Sequence, residues 1–397
     1  MKLQLLGTTL LALFSSAAWS GDFDHRNQTV LTPEIVHFND PNFEQCIRDE
    51  LDKPEGPITE EEMASIYEVI CNNYGIVDIS EISLIADPFT ISLNNNLITD
   101  VSPLDGMLLN RLDLDGNLIS DFSSVTSLPQ AYGIEVRDNN FTSLESFSQL
   151  VAPDLGELNA DSNQITSIDG ITHLDLDRVS LSNNNIDDID SIGDLENLVH
   201  LFISFNNITS TVPLSNNSNL MILHMEGNQL TNVEGLGNLP LGELNLSSNQ
   251  ITDISDLTGN TTLSTVVLNN NSISDISALS EIANYADIWI ASNNISDFSP
   301  LQNNNAGYIY ALGQVIDSGT TEVFEPVYLP ANGIETENLE VFGPSYFYYD
   351  VESQYGVLTS TGNNIQLGYS EFIEEYPGGP DRVQISGAFV IDAVQPE

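Results

Sequence analysis

Positive charge is what this chain has least of. Eight lysines and arginines stand against 58 aspartates and glutamates in 397 residues, a formal net charge of −50. So anionic a surface repels nucleic acid and anionic lipid, and neither is an expected partner. The same surplus keeps an extended molecule soluble, which predicts a monomer. Long apolar runs are scarce too: after the first 20 residues none approaches the 18 that a membrane helix needs, so no membrane insertion is expected. Catalytic signatures are missing, with no Gly-rich phosphate loop, nucleophile elbow, HExxH or Cys/His pairing. Carboxylate pairs such as Asp113 and Asp115 beside Glu135 occur, but 58 acidic residues produce such neighbours by chance. The expectation is a protein with no catalytic residue, no cofactor and no metal.

Cysteine is limited to Cys46 and Cys71. The N-terminus reads MKLQLLGTTLLALFSSAAWS, with Lys2, a short apolar run from Leu3 to Phe14, and Ala18 and Ser20 spaced for cleavage. That pattern is a secretory signal peptide over residues 1–20. It places the mature chain outside the cytoplasm: secreted, periplasmic or associated with the cell surface. In an exported chain an even pair of cysteines predicts a disulfide. The Cys46–Cys71 bridge would close a loop of 25 residues, for about 3 kcal/mol on the chain-entropy model.

What the chain has in abundance is one returning phrase. LGELNLSSNQITDISDL from Leu241, LSTVVLNNNSISDISAL from Leu263 and YADIWIASNNISDFSPL from Tyr285 share alternating apolar residues, a gap, an asparagine and then isoleucine. Counting the asparagine as position nine gives Asn96, Asn117, Asn139, Asn163, Asn184, Asn206, Asn228, Asn249, Asn271 and Asn293, at steps of 21 to 24 residues. That is the leucine-rich-repeat phrase L-x-x-L-x-L-x-x-N-x-L. It predicts a curved parallel β-sheet with short turns or 3₁₀ segments on the convex side, growing by stacking. Positions four and six point into the core. The position-nine amides satisfy backbone groups at each turn and form a buried structural ladder. Aspartates two residues past position eleven, such as Asp100, Asp253 and Asp275, suit backbone-capping turns better than calcium, which needs clustered oxygens.

Two copies depart from the pattern. The 24-residue step from Asn139 to Asn163 adds residues near Val151-Ala152-Pro153, expected to bulge as a convex loop. The Asn206 copy has Thr211 at an apolar position, leaving Val212 to rotate into that place.

Ahead of the repeats, residues 21–36 lack periodicity and read as a mobile lead-in. Residues 37–68 read as a helical N-terminal cap, with Asp40-Pro41 opening one helix and the Thr59–Glu62 capping box a second. The solenoid is expected over 69–316. From residue 317 to 397 the period gives way to short β-type runs such as SYFYYDV and DRVQISGAFVIDAV, at spacings typical of a small β-sandwich.

The whole order resembles the bacterial internalin family. The convex phrase appears as ITDVSPL from Ile98, ITDISDL from Ile251 and ISDFSPL from Ile295, and ISGAFVIDAVQP from Ile385 is similar to the last strand of that family's immunoglobulin-like junction. The resemblance covers roughly residues 36 to 397. It implies a fused immunoglobulin-like β-domain and a concave sheet used to bind proteins, in some members host-cell receptors. The chain departs from the family in carrying no cell-wall sorting motif, which with the cysteine pair and the acidity points to a Gram-negative relative.

On the concave side, positions three, five and seven face solvent. Position five is polar or acidic early, at Ser92, Asp113, Glu135, Asn159 and Ser180. Later it turns to Phe202, His224, Val267, Trp289 and Tyr310, joined by Ile222 and Tyr308 at position three. These seven residues form the candidate partner-binding patch, because outward aromatics on a rigid sheet dominate interface hot spots. His200, His224 and Glu226 lie on neighbouring strands but lack the convergent geometry zinc needs. The expected partner is a protein on a host or neighbouring cell. The alternatives are a polysaccharide-binding surface or matrix protein, with rings stacked on sugars, and a glycoside hydrolase, which would need a deep acidic pocket.

Overall fold

A computed structural model describes residues 33–283, 286–295, 297 and 299–301, together with seven later strands. The signal peptide expected over 1–20 and most of the expected lead-in over 21–36 lie outside the described residues.

Helix α1 (Pro41–Glu50) starts where the sequence demands it. Asp40 accepts from the Asn42 N–H at 2.8 Å, and Pro41 fills the first turn, where no N–H is needed. Helix α2 (Glu60–Ala64) closes its capping box in both directions: Thr59 N–H to Glu62 at 2.9 Å and Glu62 N–H to the Thr59 hydroxyl at 3.3 Å. Phe43, Cys46, Ile47 and Met63 are buried in the same core as Val69, Cys71 and Ile76 of the first copy. Two devices fasten this cap. Cys46 and Cys71 form a disulfide with 5.6 Å between their Cα atoms. The second Asp40 oxygen accepts from Val77 N–H at 2.6 Å and Asp78 N–H at 3.1 Å. Burial works to raise the Asp40 pKa, but the N–H groups of Val77, Asp78, Asn42 and Phe43 outweigh it and hold the carboxyl below its ordinary range.

Each copy contributes one three-residue strand. In order they are β1 Glu68–Ile70, β2 Thr90–Ser92, β3 Arg111–Asp113, β4 Gly133–Glu135, β5 Glu157–Asn159, β6 Arg178–Ser180, β7 His200–Phe202, β8 Ile222–His224, β9 Glu243–Asn245, β10 Thr265–Val267 and β11 Asp287–Trp289. All pair parallel with their sequence neighbours, without a register shift. Position four, such as Leu244 or Val266, is fully buried, and the residues flanking it face outward. Convex 3₁₀ turns follow, including Ser102–Leu104, Ser255–Leu257 and Ser277–Glu281. They start where an aspartate takes the N–H two residues on: Asp100 that of Ser102, Asp253 that of Ser255 and Asp275 that of Ser277, each at 2.8 Å.

Position-nine asparagines tie the copies together. Asn117 Nδ2 donates to the carbonyl of Leu114 in its own copy at 2.9 Å and of Leu93 in the preceding copy at 3.0 Å. Its Oδ1 accepts from Ile98 N–H at 3.1 Å. Equivalent bonds recur at every position from Asn96 to Asn293. The residue before each asparagine sits in the left-handed region, from Asn95 to Ser292.

The two irregular copies resolve differently. The extra residues near Val151 lie between the 3₁₀ turn Glu145–Phe147 and β5, where Val151 makes a one-residue parallel bridge to Ser127. Val212 does not rotate inward. It is 44% exposed, whereas Thr211 is fully buried and its hydroxyl donates to the Glu234 carbonyl at 2.7 Å. That bond lets a hydroxyl occupy an apolar position without a stranded polar group.

Past β11, strand β12 (Tyr308–Glu322) continues the parallel sheet, with Asp287 beside Tyr308 and Trp289 beside Tyr310. Strands Arg382–Val394, Gly362–Glu374 and Leu339–Phe342 follow it in that spatial order, and Pro326–Tyr328, Tyr355–Leu358 and Phe347–Asp350 form a separate three-stranded sheet. The immunoglobulin-like closure expected over 317–397 depends on residues outside the described ones.

Candidate functional site: the concave face

The concave face divides along its length. From β3 to β5 it is a charge lattice. Arg111 donates to Glu135 at 2.7 Å and lies 3.5 Å from Glu157. Arg137 holds Asp115 at 2.6 Å and Glu135 at 3.0 Å. Gly133, the first residue of β4, lies in register between Arg111 and Glu157, and even a Cβ there would meet the Glu157 carboxylate at 3.6 Å and the Arg111 guanidinium carbon at 3.9 Å, ordinary van der Waals contact.

Burial pushes the Asp115 carboxyl above its ordinary pKa despite its bonds to Arg137. Burial does the same to Asp161, against hydrogen bonds from the Ser180 hydroxyl and Ser182 N–H. Among the described residues, Asp113, Asp115 and Glu135 are the one trio close enough to share a cation. Arg137 already neutralises two of the three.

From β6 onward the face changes. The Arg178 guanidinium lies 4.5 Å from the centre of the Phe202 ring. Phe202 meets His224 edge-on at 5.0 Å. His224 Nε2 pairs with Glu243 at 2.8 Å, and Asn245 donates to Glu226 at 2.8 Å. Four neighbouring strands are thereby joined through their outward side chains. His200, His224 and Glu226 do not gather around one point, since His224 and Glu226 are engaged toward β9.

The seven candidate patch residues therefore form two groups. Phe202, Ile222 and His224 are half-buried neighbours on β7 and β8. Val267 and Trp289 are half-buried neighbours on β10 and β11, next to the backbone of Tyr310. The side chains of Tyr308 and Tyr310 lie outside the described residues. Phe202 and Trp289 are four strands apart, about 19 Å at the usual strand spacing. Polar β9, with Glu243 and Asn245, separates the groups.

Two residues escaped sequence reasoning. Arg178 stands at position three, where an apolar pattern singles out only Ile222 and Tyr308. Phe205 occupies position eight at φ +57°, although it is bulky and 49% exposed. Its signal was compositional: every other copy from Asn96 onward has Asn, Asp, Ser or Gly there.

No family model matches the chain. The InlP protein of Listeria monocytogenes superimposes with a TM-score of 0.51 at 16% identity, over 91% of this chain and 100% of that one. The fold is an internalin-like leucine-rich-repeat solenoid. The Arabidopsis receptor kinase HAESA, solved with the peptide hormone IDA and a co-receptor, superimposes at the same TM-score with 18% identity. It covers 65% of this chain and 47% of that one, so the solenoid spans about half of the HAESA structure. An adenylate cyclase of Schizosaccharomyces pombe is 24% identical over 230 residues, 49% of this chain and 14% of the cyclase. So small a share carries no activity across to the solenoid.

Proposed function

We propose that this chain is an exported recognition module that binds a protein partner through the concave face of its solenoid and performs no catalysis. The observation that carries the reading is the line Arg178–Phe202–His224–Glu243, side chains set in contact on a fixed-register sheet and turned away from the core. Pre-ordered aromatic and arginine side chains lose little entropy on binding, which is what hot spots require. The second group, Val267 and Trp289, extends the footprint to a span typical of a protein partner rather than a small ligand. Polar β9 interrupts the ring surface, which favours protein over the unbroken aromatic track that sugar stacking would use. The Cys46–Cys71 disulfide supports an oxidising compartment. No described helix is long and apolar enough to cross a membrane.

The test is capture of surface proteins from host or neighbouring cells by the purified full chain, with Phe202→Ala/Trp289→Ala as the control. Loss of capture by the double variant, with an unchanged circular dichroism spectrum, is expected. Equal capture by both proteins would remove the concave face from consideration.

A further inference from the structure

Among the described residues, four of the five basic side chains are in ion pairs: Arg48 with Glu44, Lys53 with Glu62, Arg111 with Glu135, and Arg137 with Asp115. Arg178 is the fifth. Its guanidinium has no carboxylate partner and no hydrogen-bond acceptor; its one side-chain contact of note is the Phe202 ring. In a chain with 58 acidic residues this is not for want of carboxylates. Glu157 lies beside Arg178 in register on β5, yet it is drawn the other way, across Gly133, to Arg111. On its other side Arg178 is in register with His200. The surrounding acids are already committed: Glu135 to Arg111 and Arg137, Glu243 to His224, Glu226 to Asn245.

We propose that Arg178, oriented by Phe202, is the anchor for an aspartate or glutamate side chain presented by the protein partner beside an apolar residue. This rests on the concave-face reading above. The guanidinium stacked on a ring keeps its edge free, and that edge matches a carboxylate through two parallel N–H bonds. The apolar neighbour of the incoming acid meets Phe202 and Ile222, which follow Arg178 on the next two strands. The chain's overall negative field opposes polyanions at a distance, but within a Debye length of about 8–10 Å the local cation decides. The site therefore selects a single acid on a partner surface that is otherwise neutral or basic.

The experiment selects twelve-residue peptides, amidated at the C-terminus, on the full chain, and then measures their affinity for wild type, Arg178→Met, Arg178→Lys and Phe202→Ala/Trp289→Ala. The expected peptides carry Asp or Glu next to a large apolar residue. Changing that acid to its amide weakens binding to wild type by about tenfold or more and leaves binding to Arg178→Met unchanged. Arg178→Lys recovers only part of the loss, because a point charge lacks the planar fork. Peptides that lose binding to Phe202→Ala/Trp289→Ala but bind Arg178→Met as well as wild type would overturn the anchor while leaving the concave face in place. Peptides indifferent to both variants, or no selected peptide at all, would overturn both.

Discussion

The ring of Phe205 lies over the backbone of Gly227 one copy further on, so that a Cβ at Gly227 would sit 2.5 Å from the ring's Cδ1 atom. Both residues have left-handed backbones, φ +57° and +67°. Gly227→Ala therefore meets two penalties, a strained φ and a displaced ring, and is expected to lower stability by about 1–2 kcal/mol. Phe205→Asn combined with Gly227→Ala should restore the steric part, because asparagine tolerates the left-handed region and lacks the ring. Denaturant unfolding of the two variants checks this; equal loss in both would mean that the ring is not the obstacle.

Asn249→Leu strands the buried N–H of Leu230 and takes one of two amide donors from each of the carbonyls of Met225 and Leu246, which keep Asn228 and Asn271. The expected loss is on the order of 1–3 kcal/mol. Hydrogen exchange should show faster opening in the copies on both sides of position 249. A uniform slowing or no change would contradict the ladder as the link between copies.

Asp161 predicts a pH effect of definite sign. Burial raises its folded-state pKa above the ordinary value of 3.8, so the folded chain holds this proton more tightly than the unfolded chain does. Stability from this group is greatest below the unfolded value and declines as pH rises through the raised folded one. Asp161→Asn imitates the protonated form. Its melting temperature at pH 7 should exceed wild type, and the gap should close as pH falls toward 4. A gap that widens with acidification would reverse the assignment.

The Cys46–Cys71 bridge fastens the cap to the first copy. Cys46→Ser/Cys71→Ser should cost about 3 kcal/mol and lower the melting temperature while leaving the solenoid's circular dichroism unchanged. An unchanged melting temperature would assign the fastening to Asp40 and the cap's packing alone.

How much of this could be read from the chain depends on the distance over which each feature is decided. Strand, turn and asparagine are set within one copy, so Leu244, Asn249 and Asp253 announce their roles by position. Thr211 misled because its hydroxyl is satisfied by Glu234, 23 residues away, a partner that a one-copy rule does not contain. Arg178 is hidden from such a rule for the same reason: its lack of an acidic partner depends on Arg111, three copies earlier, taking Glu157. Periodicity reveals what every copy shares, whereas a binding face is built from what neighbouring copies do not share.

The asparagine ladder also has a direction. Each amide grips its own copy and the one before it, from Asn96 reaching back to Cys71 through Asn293 reaching back to Leu268. A newly emerging copy therefore brings the groups that finish its predecessor and leaves its own turn open for the next arrival. The direction of chain synthesis is thus also the direction in which each turn acquires its missing partner. The disulfide-fastened cap stands at the end from which that series of bonds begins.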